Sequence, residues 1–125
     1  MNKLRFLGFL ALFAALSGCA TAISESRMAQ MNQELVSDAQ AGQWLKVQGL
    51  IKEGANVNAQ NDAGQTALYF AADKGSQDAV KFLLDHGANI NLADNDGQTP
   101  LDRAALRAFL PLVRYLVQNG ASANN

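Results

Sequence analysis

Asp62-Ala63-Gly64-Gln65-Thr66-Ala67-Leu68-Tyr69-Phe70-Ala71-Ala72 returns 33 residues later as Asn95-Asp96-Gly97-Gln98-Thr99-Pro100-Leu101-Asp102-Arg103-Ala104-Ala105. The two stretches share a Gly-Gln-Thr turn, a leucine two residues after the threonine and a closing pair of alanines. The same step continues downstream. Val47, Val80 and Val113 keep it, as do Leu50, Leu83 and Leu116, the pairs Gly54-Ala55, Gly87-Ala88 and Gly120-Ala121, and Asn58, Asn91 and Asn124. A fixed period in the range of roughly 20–50 residues marks stacked supersecondary units, none of which buries its apolar face alone. Such stacks usually work by presenting surface. The period therefore points to recognition and leaves the partner unnamed.

Within one unit the local chemistry is readable. Asp62-Ala63-Gly64-Gln65 is a turn, with a glycine free to take positive φ. Thr66 is placed to cap a first helix carrying Leu68, Ala71 and Ala72 inward. Gly75 ends that helix. Ser76 then caps a second, whose Ala79, Val80, Leu83 and Leu84 form one apolar stripe. Gly87 closes it, and Ala88-Asn89-Ile90-Asn91 leads out as an extended hairpin arm.

Two short helices and a hairpin per 33 residues resemble the ankyrin repeat. Both stretches quoted above look like the ankyrin pattern G-x-T-P-L-H-x-A-A. Val80-x-Phe-Leu-Leu-x-x-Gly-Ala-Asn-Ile-Asn and Val113-x-Tyr-Leu-Val-x-x-Gly-Ala-Ser-Ala-Asn look like its second half. Asn32 to Gln60 resembles an N-terminal capping repeat. Its second half is well formed, and its first half lacks the Thr-Pro-Leu turn. The expected fold is an all-α ankyrin-repeat solenoid of about three units, at about 31–60, 61–93 and 94–125. Two departures stand out. Tyr69 and Asp102 replace the ankyrin histidine that bonds between neighbouring repeats, at roughly 0.5–1.5 kcal/mol per lost bond, so a marginal stack is expected. Ala108 stands where Gly75 stands one repeat earlier. If left-handed geometry is needed there, alanine costs about 1–2 kcal/mol. Pro111 follows near the first turn of the last helix, where proline is tolerated.

The first residues read differently. Lys3 and Arg5 precede an uncharged apolar run of eleven residues, Phe6 to Leu16. A permanent span needs about 20 residues, so the run fits the apolar core of a secretory signal. It ends Leu16-Ser17-Gly18-Cys19, which resembles the lipobox of bacterial lipoproteins. That resemblance implies cleavage before Cys19, acylation of its thiol and amine, and, with Ala20 rather than Asp next, sorting to the outer membrane facing the periplasm. Two or three acyl chains anchor stably where one does not. Cys19 is the only cysteine, so no disulfide framework exists. The expected organisation is a signal peptide at 1–18, a lipidated tether at 19–30, with a polar stretch from Thr21 to Arg27, and the repeat domain at 31–125.

Composition narrows the function further. Without Lys3 and Arg5 the chain keeps 8 Lys+Arg against 11 Asp+Glu, with no basic stripe for nucleic acid. The single histidine, His86, sits at a helix end. Asp94-Asn95-Asp96-Gly97 lacks the distal glutamate of a calcium loop and reads as a polar hairpin tip. No catalytic constellation, metal site or cofactor loop is expected.

In ankyrin-like stacks, partners usually bind the concave face of hairpin tips and first helices. Carried onto this chain, that face takes Asp62, Ala63, Gln65, Tyr69, Asp73 and Lys74 from the second repeat. From the third it takes Asn95, Asp96, Gln98, Asp102, Arg103, Leu106 and Arg107. Tyr69, Arg103 and Arg107 are the expected anchors, since aromatics and arginines dominate interfaces. Trp44 is expected to be partly core. The expected partner is a protein of the envelope or periplasm, such as an enzyme held stable or inhibited. The other reading is a structural envelope component that self-associates through the outward side of Leu112, Tyr115 and Leu116 on the C-terminal repeat.

Overall fold

Where the helices start and stop is decided by a few capping residues. The computed structural model describes the backbone of residues 20–121 and side chains from Ser26 onward. The signal peptide, Cys19 and Asn124 lie outside the described residues. Six helices are described: α1 Ala20–Ala41, α2 Trp44–Lys52, α3 Ala67–Lys74, α4 Gln77–Asp85, α5 Pro100–Leu106 and α6 Leu110–Gln118. No strand occurs among the described residues. The chain divides into two compact units, Met1–Gln30 and Met31–Asn125, and the second carries the repeats.

The Thr66 hydroxyl accepts from the Tyr69 N–H at 3.0 Å and opens α3. Thr99 does the same for α5, accepting from the Asp102 N–H at 3.2 Å. The Asp102 carboxylate reaches back to the Thr99 N–H at 3.0 Å and closes a capping box. So where the family keeps its inter-repeat histidine, Asp102 ties its own helix instead. Ser76 caps α4 through the Ala79 N–H. Each such cap contributes about 1 kcal/mol.

The first helices end on a left-handed residue. Gly75 has φ 73°, and the Ser76 N–H bonds the Ala71 carbonyl at 3.0 Å. The third repeat copies the turn without the glycine. Ala108 has φ 60°, and the Phe109 N–H bonds the Ala104 carbonyl at 3.0 Å. Ala108 is the one non-glycine residue with positive φ in the described chain. Phe109 then lays its ring over Gly75, where a Cβ would stand 2.9 Å from the ring. Gly75 is thus required twice, by its own φ and by its neighbour.

Thr21 to Arg27, within the expected tether at 19–30, is part of α1. Nothing between Ala20 and Ala41 stops a helix, since the stretch holds no Gly and no Pro. Small polar residues suggested a linker, yet they are compatible with helix when no breaker intervenes.

The core sits between the helix layers. Leu35, Leu68, Leu83, Leu116, Val47 and Val80 are fully buried, and Ala67, Ala71, Ala72 and Ala104 let adjacent helices approach closely. Trp44 packs half-buried against this core. The periodic asparagines stitch repeat to repeat. The Asn58 side chain accepts from the Asn89 N–H at 2.6 Å and donates to the Gly87 carbonyl at 3.3 Å. Asn91 donates likewise to the Gly120 carbonyl. At the tips, the Asn95 N–H bonds the Ala63 carbonyl and its side-chain amide bonds the Asp62 carbonyl. A Cβ on Gly64 would fall 2.5 Å from the Asn95 side-chain oxygen. These amides supply inter-repeat bonds without the histidine.

The end of the stack also differs from expectation. Leu112 and Leu116 are 3% and 0% exposed, turned into the core, and Tyr115 is half-buried. They do not form an outward face. The exposed apolar residues of the last repeat are Leu106, Leu110 and Val117.

Candidate protein-binding surface

Tyr69 and Asp73 stand one turn apart on α3, facing the first turn and end of α5. Arg103 lies across them. Its guanidinium carbon is 5.4 Å from the Tyr69 ring centroid, and its Nε and Nη2 donate to Asp73 Oδ1 at 3.1 and 2.7 Å. Its remaining Nη1 donates to the Gln98 side-chain oxygen at 3.0 Å. Arg107, one turn on, donates from Nε to the same Asp73 oxygen at 2.9 Å and from Nη2 to the other at 3.2 Å. One carboxylate of the second repeat therefore holds two arginines of the third. Partial burial works against ionisation of Asp73, but the Arg107 and Arg103 hydrogen bonds and charges together outweigh it and hold its carboxyl below the usual range. The Asp73 bond likewise holds the Arg103 guanidinium charged against its own burial.

The turns beside this clamp are self-satisfied. The Asn61 side-chain oxygen accepts from the Ala63 and Gln65 N–H groups. Asp94 accepts from those of Asp96 and Gln98, which accounts for its place in the hairpin tip.

In the first repeat the same face is open. Gln33, Val36, Ser37 and Gln40 of α1 and Gln60, Asn61 and Asp62 of the following tip line a groove of about 220 Å³. The 33-residue step puts Val36 and Gln40 in register with Tyr69 and Asp73, and with Asp102 and Leu106. Gln33, Ser37 and Gln40 are exposed over buried Val36. The groove offers amide and hydroxyl groups that both donate and accept, over an apolar floor. Such a lining suits a peptide backbone or polar side chains of another protein.

The family profile for ankyrin repeats (3 copies) matches residues 35–125. The chain belongs to the ankyrin-repeat family. None of the curated proteins compared with it matches. Ankyrin repeats are protein-interaction modules, typically without enzymatic activity, so a protein-binding surface is the functional part of this stack.

Against that background the expected site residues divide. Tyr69, Asp73, Arg103 and Arg107 are brought together, but chiefly to each other. Tyr69 is only 7% exposed, so it is no free anchor. It is covered because Arg103 lies on its ring. Arg103 is committed to Asp73 and Gln98, and Asp102 to its capping box. Arg107 keeps 52% of its side chain exposed. Lys74 and Leu106 are exposed as well. The groove residues Gln33, Ser37 and Gln40 escaped sequence reasoning. Stepping back by the repeat from Thr66, Phe70 and Asp73 would have found them. The missing Thr-Pro-Leu turn in the first repeat hid that register.

Proposed function

We propose that this ankyrin stack is a lipid-anchored protein of the bacterial cell envelope. Acylated Cys19 holds it in the outer membrane facing the periplasm, where it binds a partner protein, an enzyme that it stabilises or inhibits. The signal-like run and Leu16-Ser17-Gly18-Cys19 support the anchor. Among the described residues no helix is long and apolar enough to cross a membrane, so within them attachment has no source of that kind. The observation that carries the binding reading is the open groove at Gln33, Ser37 and Gln40. It lies on the face the family uses. The clamp of Tyr69, Asp73 and Arg103 is its rigid support, since preorganised surfaces lose less entropy on binding.

The test is co-purification of a partner from detergent-solubilised envelopes with the full lipidated chain. Ser37→Arg with Gln40→Arg should abolish it while the helical spectrum and melting stay normal. Retention of the partner by that variant overturns the groove reading. The envelope reading is tested separately, by fractionation of the wild-type chain.

A further inference from the structure

The two ends of the stack are unlike in a way the repeat does not require. In the second repeat, Ala67 and Ala71 are 0% exposed. Their counterparts in the first repeat are Glu34 and Asp38, exposed and half-buried. With Lys46, Gly49, Leu50 and Glu53 these carboxylates line an open groove of about 400 Å³ between α1 and α2. The first repeat thus ends on an acidic concavity with an apolar floor.

The other end is apolar. Ala72 and Val80 of the second repeat are 0% exposed. Their counterparts Ala105 and Val113 are exposed and half-buried. Where the second repeat carries Asp73 and Gln77, the third carries Leu106 and Leu110, each 64% exposed. Here polar positions have become leucine. Leu110, Val113 and Val117 share one stripe of α6 at helical spacing, and Leu106 joins it from the end of α5. Tyr115 marks the opposite side of α6. It is half-buried and packs against the core. The apolar stripe points away. From Arg103 to Ala121 there is no carboxylate, and exposed Arg114 borders the stripe.

We propose that copies of this chain associate head to tail, the apolar stripe of one copy's third repeat seating in the acidic groove of the next copy's first repeat. The charges choose this occupant. A tail-to-tail pair would set Arg114 against a face that holds no carboxylate. Head to tail, Arg114 meets Glu34 and Asp38, and the leucines meet the Leu50 floor. The contact continues the repeat-on-repeat packing already present inside the chain. Because the two surfaces differ, the contact is heterologous and repeats from copy to copy, into a ring where the rotation closes and into an open row where it does not. This association stands apart from the partner-binding groove, which lies on another face.

The full chain in detergent micelles tests it by cysteine cross-linking, with the unmodified chain controlling for Cys19. Under mild oxidation, a mixture of Asp38→Cys and Val113→Cys copies should give a disulfide dimer, and a chain carrying both should give a ladder. Neither single variant alone should cross-link beyond the control. Arg114→Glu should reduce the mixed cross-link about tenfold or more, and Glu34→Arg in the accepting copy should restore it. A strong dimer from Val113→Cys alone would establish a tail-to-tail pair and overturn the proposal. Absence of any mixed cross-link overturns it too, and leaves the apolar end to a foreign partner.

Discussion

Ala108 is held at φ 60° by a turn that its repeat inherited and its side chain opposes. Replacing it with glycine removes a left-handed penalty of about 1–2 kcal/mol. Glycine returns about 0.4–1 kcal/mol through the greater freedom of the unfolded chain. No favourable burial is lost, because Ala108 is exposed. The net gain is about 0–1.6 kcal/mol, centred at about 0.8 kcal/mol, which corresponds to a rise in Tm of roughly 3–6 °C for a domain of this size. Gly75→Ala must behave oppositely. It gains the same unfolded-state term but takes on the left-handed penalty, and its new methyl meets the Phe109 ring at 2.9 Å. Thermal melting of the chain by circular dichroism reads both. If Ala108→Gly lowers Tm, or if both variants shift it the same way, the assignment of strain to this turn is wrong.

Leu83→Ala should cost about 2–5 kcal/mol, since the side chain is fully buried in the middle repeat, and urea denaturation reads it directly. Arg103→Ala should destabilise by about 1.5–3 kcal/mol, through loss of charged hydrogen bonds to Asp73, so a drop in partner binding by this variant reports stability first. The same clamp predicts a pH dependence. The folded-state pKa of Asp73 is lowered, so its contribution is fully present above the ordinary aspartate value of about 3.9 and is lost as pH falls through the lowered folded value. Melting of wild type and Asp73→Asn from pH 7 to pH 2 should show their difference shrinking only at the acid end of that range. Cys19→Ser should abolish acyl labelling and leave precursor or mislocalised protein, and normal membrane fractionation of that variant would contradict the anchor.

The repeat was legible because its signals are local and repeated. Thr66, Ser76, Gly75 and the leucine step each act within a few residues, and the strained turn at Ala108 could be read by register alone. The side-chain clamp was not. Tyr69, Arg103 and Arg107 have the composition of interface anchors, and only the 30- and 34-residue separations to Asp73 show that they first satisfy one another. The outward face of the last repeat was misplaced for a similar reason. Leu112 and Leu116 are the more regular apolar positions, and regular positions turn inward, leaving Leu106 and Leu110 outside. The helix from Ala20 was hidden by composition, because small polar residues signal a linker as readily as a solvated helix.

The central claim is that the open face of the first repeat, and not the arginine clamp between the second and third repeats or the apolar end of the third, carries recognition of a partner. The most direct measurement compares partner co-purification from solubilised envelopes for wild type, Ser37→Arg with Gln40→Arg, and Leu110→Glu, each checked for normal melting. The account predicts that the groove variant loses the partner while Leu110→Glu retains it. Loss in Leu110→Glu with full retention in the groove variant would contradict it and move recognition to the end of the stack.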